Sequence, residues 1–548
     1  MPESISSEDQ PPPYSETGAH ENGGFHMAPE HLSESRIRTL TLGQVATFAF
    51  LQLSQYDEPL EEDKSDWRSI WIANFISLLT GIQYSVFLTS VWPYLEEITD
   101  RQVSQVFFGY VIAVFALCQG LAAPLLGWWA NKSKKARWPL FVGCVLMLIG
   151  NAIYCVADVK QIPLEYRQWV VFIARAVMGL GGSVNSVLRA YVATASVKQD
   201  RGKAMALCIG LGSAGVTVGP VAFTPLGYPT TWLWGIVNMY SAPAIMSIVL
   251  MVICMILLLF AFNEHYAGIV SDEVKNDKFF VLPRYDMLPV LVCLFCWLCQ
   301  AVVITNFEAI MTPYTMIMYD WTYSEAISYT GYLILGGGLI STIGFGIYAV
   351  TRLSRADERL GILIGICLFN VFHIVTFPWP GLPGKINYQL TELNAPPNVT
   401  AAITTMLGKN ETEYLGCPVK YEWCANTPKV PLALLFSSYC VFVSVGFVPL
   451  TAPLSVLFSK VLGPRRQGTM QGMLAGVGSF GRTVAPILMT WLFSSYGPRW
   501  AWGFEILLLT CATVLLLIFW RRMVPLKTID KLEPGQHVNY KHGVLYRF

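Results

Sequence analysis

Four charged residues stand inside long apolar runs: Arg175, Glu308, Arg482 and Glu505. A charge at the middle of a bilayer costs at least about 2.5 kcal/mol, so such residues are retained where they do something. The planar fork of an arginine suits a carboxylate, a phosphate or a halide. A glutamate withdrawn from water could carry a proton. These types predict that Arg175 contacts an anionic solute, that Glu308 gates or couples its passage, and that Arg482 belongs to the same pathway. The plainer readings are that Glu308 and Glu505 sit among lipid headgroups and that the two arginines are structural ion-pair partners. Gln83, Tyr84, Gln119, Asn185 and Asn306 are weaker candidates, each able to line a cavity or to bond a neighbouring helix. His373 reads as a packed neutral imidazole.

Other chemistry has no counterpart. The chain carries no phosphate-binding loop, no nucleophile motif and no metal-ligand spacing. Cys293, Cys296 and Cys299 recur every three residues without a nearby histidine and read as packing residues. No enzyme activity, cofactor or metal is expected. Lys and Arg number 37 against 36 Asp and Glu, which leaves no net field to recruit nucleic acid.

The elements that must position these residues are membrane helices. Of 548 residues, 54% are hydrophobic and 13% charged, about half the charge of a soluble domain. Hydropathy predicts an all-α polytopic protein with twelve spans, at 69–92, 105–129, 138–157, 168–190, 203–225, 239–262, 287–310, 326–350, 360–379, 431–457, 469–493 and 500–520. The links after spans 2, 4, 8 and 10 hold thirteen basic residues, among them Lys132, Arg201, Arg355 and Arg466. The links after spans 1, 3, 5, 7 and 11 hold four. That asymmetry places both tails in the cytosol. The expected organisation is a disordered cytosolic tail (1–66), a first six-helix half (67–262), a cytosolic linker (263–286), a second half (287–520) with a lumenal loop at 380–430, and a cytosolic tail (521–548).

The loop 380–430 contains the sequons at Asn398 and Asn410, which the topology puts on the glycosylated side. It also contains Cys417 and Cys424, which an oxidising compartment would allow to close a small loop. No cleaved signal peptide is expected at the N-terminus. In the N-tail, Pro11, Pro12 and Tyr14 fit the Pro-Pro-x-Tyr ligand of WW domains, a route for a WW-domain ubiquitin ligase to bind.

The chain repeats itself. A shift of 266 positions lays Gly202–Pro220 on Gly468–Pro486 without a gap, pairing Gly215 with Gly481 and Pro220 with Pro486 among eight identities. Helix 5 thus corresponds to helix 11. Two parallel six-helix halves are what alternating access needs, with a site between them. The glycines let backbones approach and the prolines bend the spans.

These features resemble the major facilitator superfamily. Gly127-Trp128-Trp129-Ala130-Asn131-Lys132 is similar to the superfamily's loop signature between helices 2 and 3, with Asn131 where an acidic residue is usual. Arg175-Ala-Val-Met-Gly179 resembles its helix 4 motif, and Gly215-Val-Thr-Val-Gly219-Pro220 its helix 5 motif. A closer resemblance, to a lysosomal branch associated with neuronal ceroid lipofuscinosis, is carried by Trp92-Pro93-Tyr94-Leu95, Phe307-Glu308, Trp423-Cys424 and Gly497-Pro498-Arg499-Trp500. It implies a late-endosomal or lysosomal membrane and a chloride conductance. In the superfamily helices 1, 4, 7 and 10 line the cavity, which implies that Arg175 and Glu308 face it. The open alternatives are an anion-conducting pore, a proton-coupled carrier of a small organic solute, and a non-transporting receptor or scaffold.

Overall fold

The computed structural model describes residues 64–100, 105–158, 162–222, 242–269, 284–382, 384–386, 416–417, 421–526, 538–541 and 544–547. The WW-domain motif and both sequons lie outside these residues. Twelve long helices run through the described chain. In the first half they are α1 (Trp67–Ile98), α2 (Gln105–Ser133), α3 (Arg137–Val156), α4 (Leu164–Ala195), α5 (Arg201–Ala222) and α6 (Ala242–Ala261). In the second they are α7 (Met287–Tyr319), α8 (Tyr323–Val350), α9 (Glu358–Val375), α10 (Leu432–Leu462), α11 (Gly468–Tyr496) and α12 (Pro498–Ile518). Eleven are long and apolar enough to cross a membrane. The other, α11, is the helix richest in the glycines, serines and threonines of the repeat, and it is equally long at 29 residues.

Polar residues set the helix starts. Asp66 accepts from the backbone N–H groups of Arg68 and Ser69 at the head of α1, and Asp286 does the same for Leu288 at the head of α7. Thr322 and Glu325 form a reciprocal capping box on α8. Asp357 caps α9 while hydrogen-bonded to the Arg359 guanidinium, which holds its carboxyl below the usual carboxylate range. Glycines with left-handed backbone, Gly463 and Gly497, close α10 and α11.

Several helices outrun the predicted spans. At 33 residues α7 is about 50 Å long, against a hydrocarbon layer of about 30 Å. The apolar core of a span is thus shorter than its helix, because the polar ends carry on into the loops. Three helices are irregular: α4 is broken at Ser183, α6 ends in a π-helical turn at Leu257–Ala261, and α10 contains one at Tyr439–Ser444. In the C-terminal tail Val538–Lys541 pairs with Val544–Arg547 in antiparallel register.

The repeat is visible in the packing. Helix α5 packs on α1 of its own half and on α8 of the other, while α11 packs on α7 of its own half and on α2 of the other. A shift of six helices converts one pattern into the other. The α2–α11 seam is close to backbone contact: a Cβ added at Gly127 would meet the Gly468 carbonyl oxygen at 2.1 Å. Each half has its own apolar core, around Phe369 and Leu454 in the second and around Leu140 and Tyr154 in the first. Large apolar side chains such as Leu125, Ile343, Ile487 and Leu507 face outward, as lipid contact requires.

At the end of the bundle that carries the basic links, the halves are joined by polar contacts. Asn131 of α2 accepts from the Gly468 N–H at 2.8 Å and donates to Thr469 Oγ1 at 2.9 Å, capping α11 from the other half. Arg466 lies over the Tyr266 ring and donates to the Lys134 carbonyl oxygen at 2.9 Å. A disulfide joins Cys417 to Cys424. Nearby, Trp423 packs on Phe493 beside Gly497, where α11 turns into α12.

Candidate functional site

Between the halves lies a cavity of about 330 Å³. It is walled by α1, α2, α3, α4 and α5 on one side and by α7, α10 and α11 on the other. Taking about 30 Å³ per water, its volume equals that of roughly ten water molecules.

Three charged groups face it: Arg189 of α4, Arg482 of α11 and Glu308 of α7. Arg482 donates to Gln119 Oε1 at 2.5 Å and to Ser479 Oγ at 2.9 Å. The orientation of Gln119 is set in turn by its Nε2, which donates to the Gly182 carbonyl at 2.9 Å. One network therefore runs from α4 through α2 to α11, across the boundary between halves. Arg189 lies over the ring of Trp297 at 5.1 Å, a second cross-half contact. The Nε of each arginine is buried without a hydrogen-bond partner. Polar side chains complete the wall: Thr80 donates to Asn185 Oδ1 at 2.8 Å, and Gln300 donates to Thr451 Oγ1 at 2.6 Å.

The sequence candidates are thus divided. Glu308, Arg482, Gln119 and Asn185 come together on the wall, as do Gln83 and Tyr84. Arg175 does not join them. Its side chain is buried, with the guanidinium carbon 4.4 Å from the Phe115 ring and 5.4 Å from that of Phe87. Phe115 itself lines the cavity, so Arg175 stands one ring behind the wall. Its Nε and Nη1 have no hydrogen-bond partner.

Glu308 is exposed to the cavity. Glu505 is instead buried in the second half, 2.5 Å from His373 Nε2 and hydrogen-bonded to Asn306 at 2.7 Å. Glu505 therefore does not sit among headgroups, whereas His373 is buried and packed against Phe372 and Trp502, as expected of a packed imidazole. Helical position alone does not reveal that α7, α9 and α12 bring the three polar groups to one point.

Arg189 was missed because the predicted span ends at 190, which makes it a terminal residue. The helix runs on to Ala195 and places it nearly two turns inside. Trp297, Gln300 and Thr451 looked like ordinary residues of apolar spans. The glycine motifs serve packing: Gly179 lies against Phe115, Gly215 against Leu78 and Ile82 of α1, Gly219 against Ser85, and Gly481 against Leu298. Pro220 and Pro486 stand inside α5 and α11. Among the described residues no group of three or more His, Cys, Asp or Glu is arranged to hold a metal ion.

Apolar helices in two equivalent sets, around a polar chamber whose charges do not cancel, define a membrane transport protein. The chain belongs to the major facilitator superfamily, whose family model matches residues 73–395 and 423–544. It is 30% identical over 490 residues to major facilitator superfamily domain-containing protein 8 of Xenopus laevis, covering 86% of this chain and 94% of the relative. A structure of the human organic anion transporter MFSD10 (TETRAN) has a TM-score of 0.56 at 13% identity, covering 82% of this chain and 99% of that one. The proton:xylose symporter XylE gives 0.57 at 13%, covering 84% and 98%. These two likenesses show the fold.

Proposed function

We propose that the protein is an alternating-access carrier of a small anion. The observation that carries this reading is the charge of the central cavity, where Arg189 and Arg482 face the single carboxylate of Glu308. Excess positive charge in an enclosed site calls for a compensating anion. Each guanidinium retains a buried N–H with no acceptor. Arg175 adds to the positive field from behind Phe115.

Chloride is the ion to which the resemblance points. The volume also admits an organic anion, in keeping with the transporter named for MFSD10. The contacts of Asn131 and Arg466 join the halves at the basic end, so the cavity would open toward the other end. The positive-inside asymmetry makes that the lumenal side, with both tails cytosolic. The resemblance read from the sequence implies a lysosomal or late-endosomal membrane, and the sequons at Asn398 and Asn410 would be glycosylated on its lumenal side.

The test is uptake of radiolabelled chloride and of radiolabelled succinate into liposomes containing the full chain. A carrier gives saturable, temperature-sensitive uptake of at least one of them. Arg482→Ala lowers it about tenfold or more at equal protein content, the worth of a hydrogen bond to a charged group. Uptake that Arg482→Ala and Arg189→Ala both leave at the full rate would refute the reading. Currents that do not saturate would replace the carrier with a pore.

A further inference from the structure

A site for anions gains nothing from a carboxylate on its wall, since a like charge opposes whatever enters. Glu308 nonetheless lines the central cavity and is exposed to it. Among the described residues no cation is paired with it and it makes no hydrogen bond. Arg482 of the same cavity donates instead to Gln119 and Ser479. Arg189 is also uncommitted: among the described residues it forms no ion pair, and its guanidinium lies over the Trp297 ring at 5.1 Å. The wall therefore holds both signs of charge without having cancelled them internally.

A second acceptor stands on the same helix. Thr451 Oγ1 donates its only hydrogen to the Phe447 carbonyl oxygen at 2.7 Å, so toward Gln300 it can only accept. The Gln300 amide must therefore turn its Nε2 to Thr451, at 2.6 Å, and its Oε1 is the end left over. That oxygen is buried and has no hydrogen-bond partner. Gln300 and Glu308 both line the cavity from α7, about 12 Å apart along the helix axis. This wall offers acceptors, while the buried Nε groups of Arg189 and Arg482 are donors. A halide or a simple dicarboxylate brings acceptors only. It answers the arginines and leaves the α7 groups unmet, and a buried polar group left unmet weakens binding. A ligand that meets both sets must carry N–H donors as well as negative charge.

We propose that the substrate is an anion that also carries an ammonium group, in chemical class an acidic amino acid, with its carboxylates on Arg189 and Arg482 and its ammonium on Glu308. This inference rests on the carrier reading above and narrows it. The charges match group for group: two guanidiniums and one carboxylate on the wall meet two carboxylates and one ammonium on the ligand. Arg175, behind Phe115, adds to the field without contact. Gln300 Oε1 is a further acceptor on the path along α7. The volume of about 330 Å³ holds such a molecule together with a few waters. A site built to bond an N–H rejects the analogue that lacks it, because its own acceptors are then unpaired.

Aspartate is succinate with one ammonium group added, so the two probes isolate that group. Uptake of radiolabelled L-aspartate, succinate and chloride is measured in liposomes containing the full chain. At low concentration aspartate should enter about tenfold or more faster than succinate, the worth of one hydrogen bond to a charged group. Glu308→Gln should lower the ratio of aspartate to succinate uptake about tenfold or more at equal protein content. Gln300→Leu should lower the same ratio severalfold, and it serves alone if Glu308→Gln does not fold. Uptake of succinate or chloride with no preference for aspartate overturns the inference and leaves the anion carrier standing. A ratio that stays in place in the variants that fold overturns it too. If none of the three solutes enters, the carrier reading fails and this inference fails with it.

Discussion

Replacing Gly127 by alanine should loosen the junction between the halves. The added Cβ would lie 2.1 Å from the Gly468 carbonyl oxygen and 2.6 Å from its carbon. Ordinary contact begins at 3.4 Å, so the backbones of α2 and α11 must part by roughly 1.3 Å. Neither neighbour is a flexible side chain that could turn away. The same movement stretches the two hydrogen bonds by which Asn131 holds the head of α11. Overpacking of this kind costs about 1 to 3 kcal/mol. The penalty falls on the arrangement in which this end is closed, so its population relative to the open one should drop about 5- to 150-fold. The assay is labelling of Cys208, a buried thiol on the cavity wall, by a membrane-impermeant maleimide applied from the basic side. Labelling should rise in Gly127→Ala and stay at its original rate in Gly109→Ala, where an added Cβ meets nothing within 4 Å. If Gly127→Ala labels and melts as the unaltered protein does, the seam does not control access.

Asn131→Asp places a carboxylate at the N-terminus of α11 and should stabilise the closed junction by about 0.3 to 1 kcal/mol, read as slower labelling of the same thiol. Lys460→Met leaves Glu358 buried without its cation and should cost about 3 to 5 kcal/mol. Adding Glu358→Gln should restore most of the lost melting temperature. Cys417→Ser opens a loop closed over seven residues. It should cost about 2 kcal/mol, and the change should appear as faster proteolysis near Trp423.

The membrane fold was legible because its signals are additive along the chain. Each span needs only enough apolar residues in a row, and the repeat of glycines from 202 to 220 at 468 to 486 marked the two halves. The cavity was partly legible. Glu308, Arg482 and Gln119 stood out as polar groups in apolar runs, and the structure brings them to one wall. What the chain could not disclose was rotation about each helix axis and the true helix ends. Arg175 and Arg189 are fourteen residues apart on the broken helix α4, and a small error in phase or length exchanges which of them faces the cavity. The contact of Glu505 with His373 depends on α9, α12 and α7 meeting at one depth, which no local pattern encodes.

The seam between α2 and α11 has a mechanical consequence. Gly472 rests on the backbone of α2 and Gly127 on that of α11, with a carbonyl oxygen rather than a side chain as the opposing surface. Such faces have no teeth. Large side chains interlocked across a boundary must jump between discrete wells when one surface passes another, and each jump has a barrier. Smooth faces of backbone and hydrogen act as plain bearings, letting one half tilt against the other in small increments. Resistance to the stroke is then concentrated at the rim, in the few polar ties of Asn131 and Arg466, and the rate of the cycle becomes a property of those ties more than of the long interfaces between them.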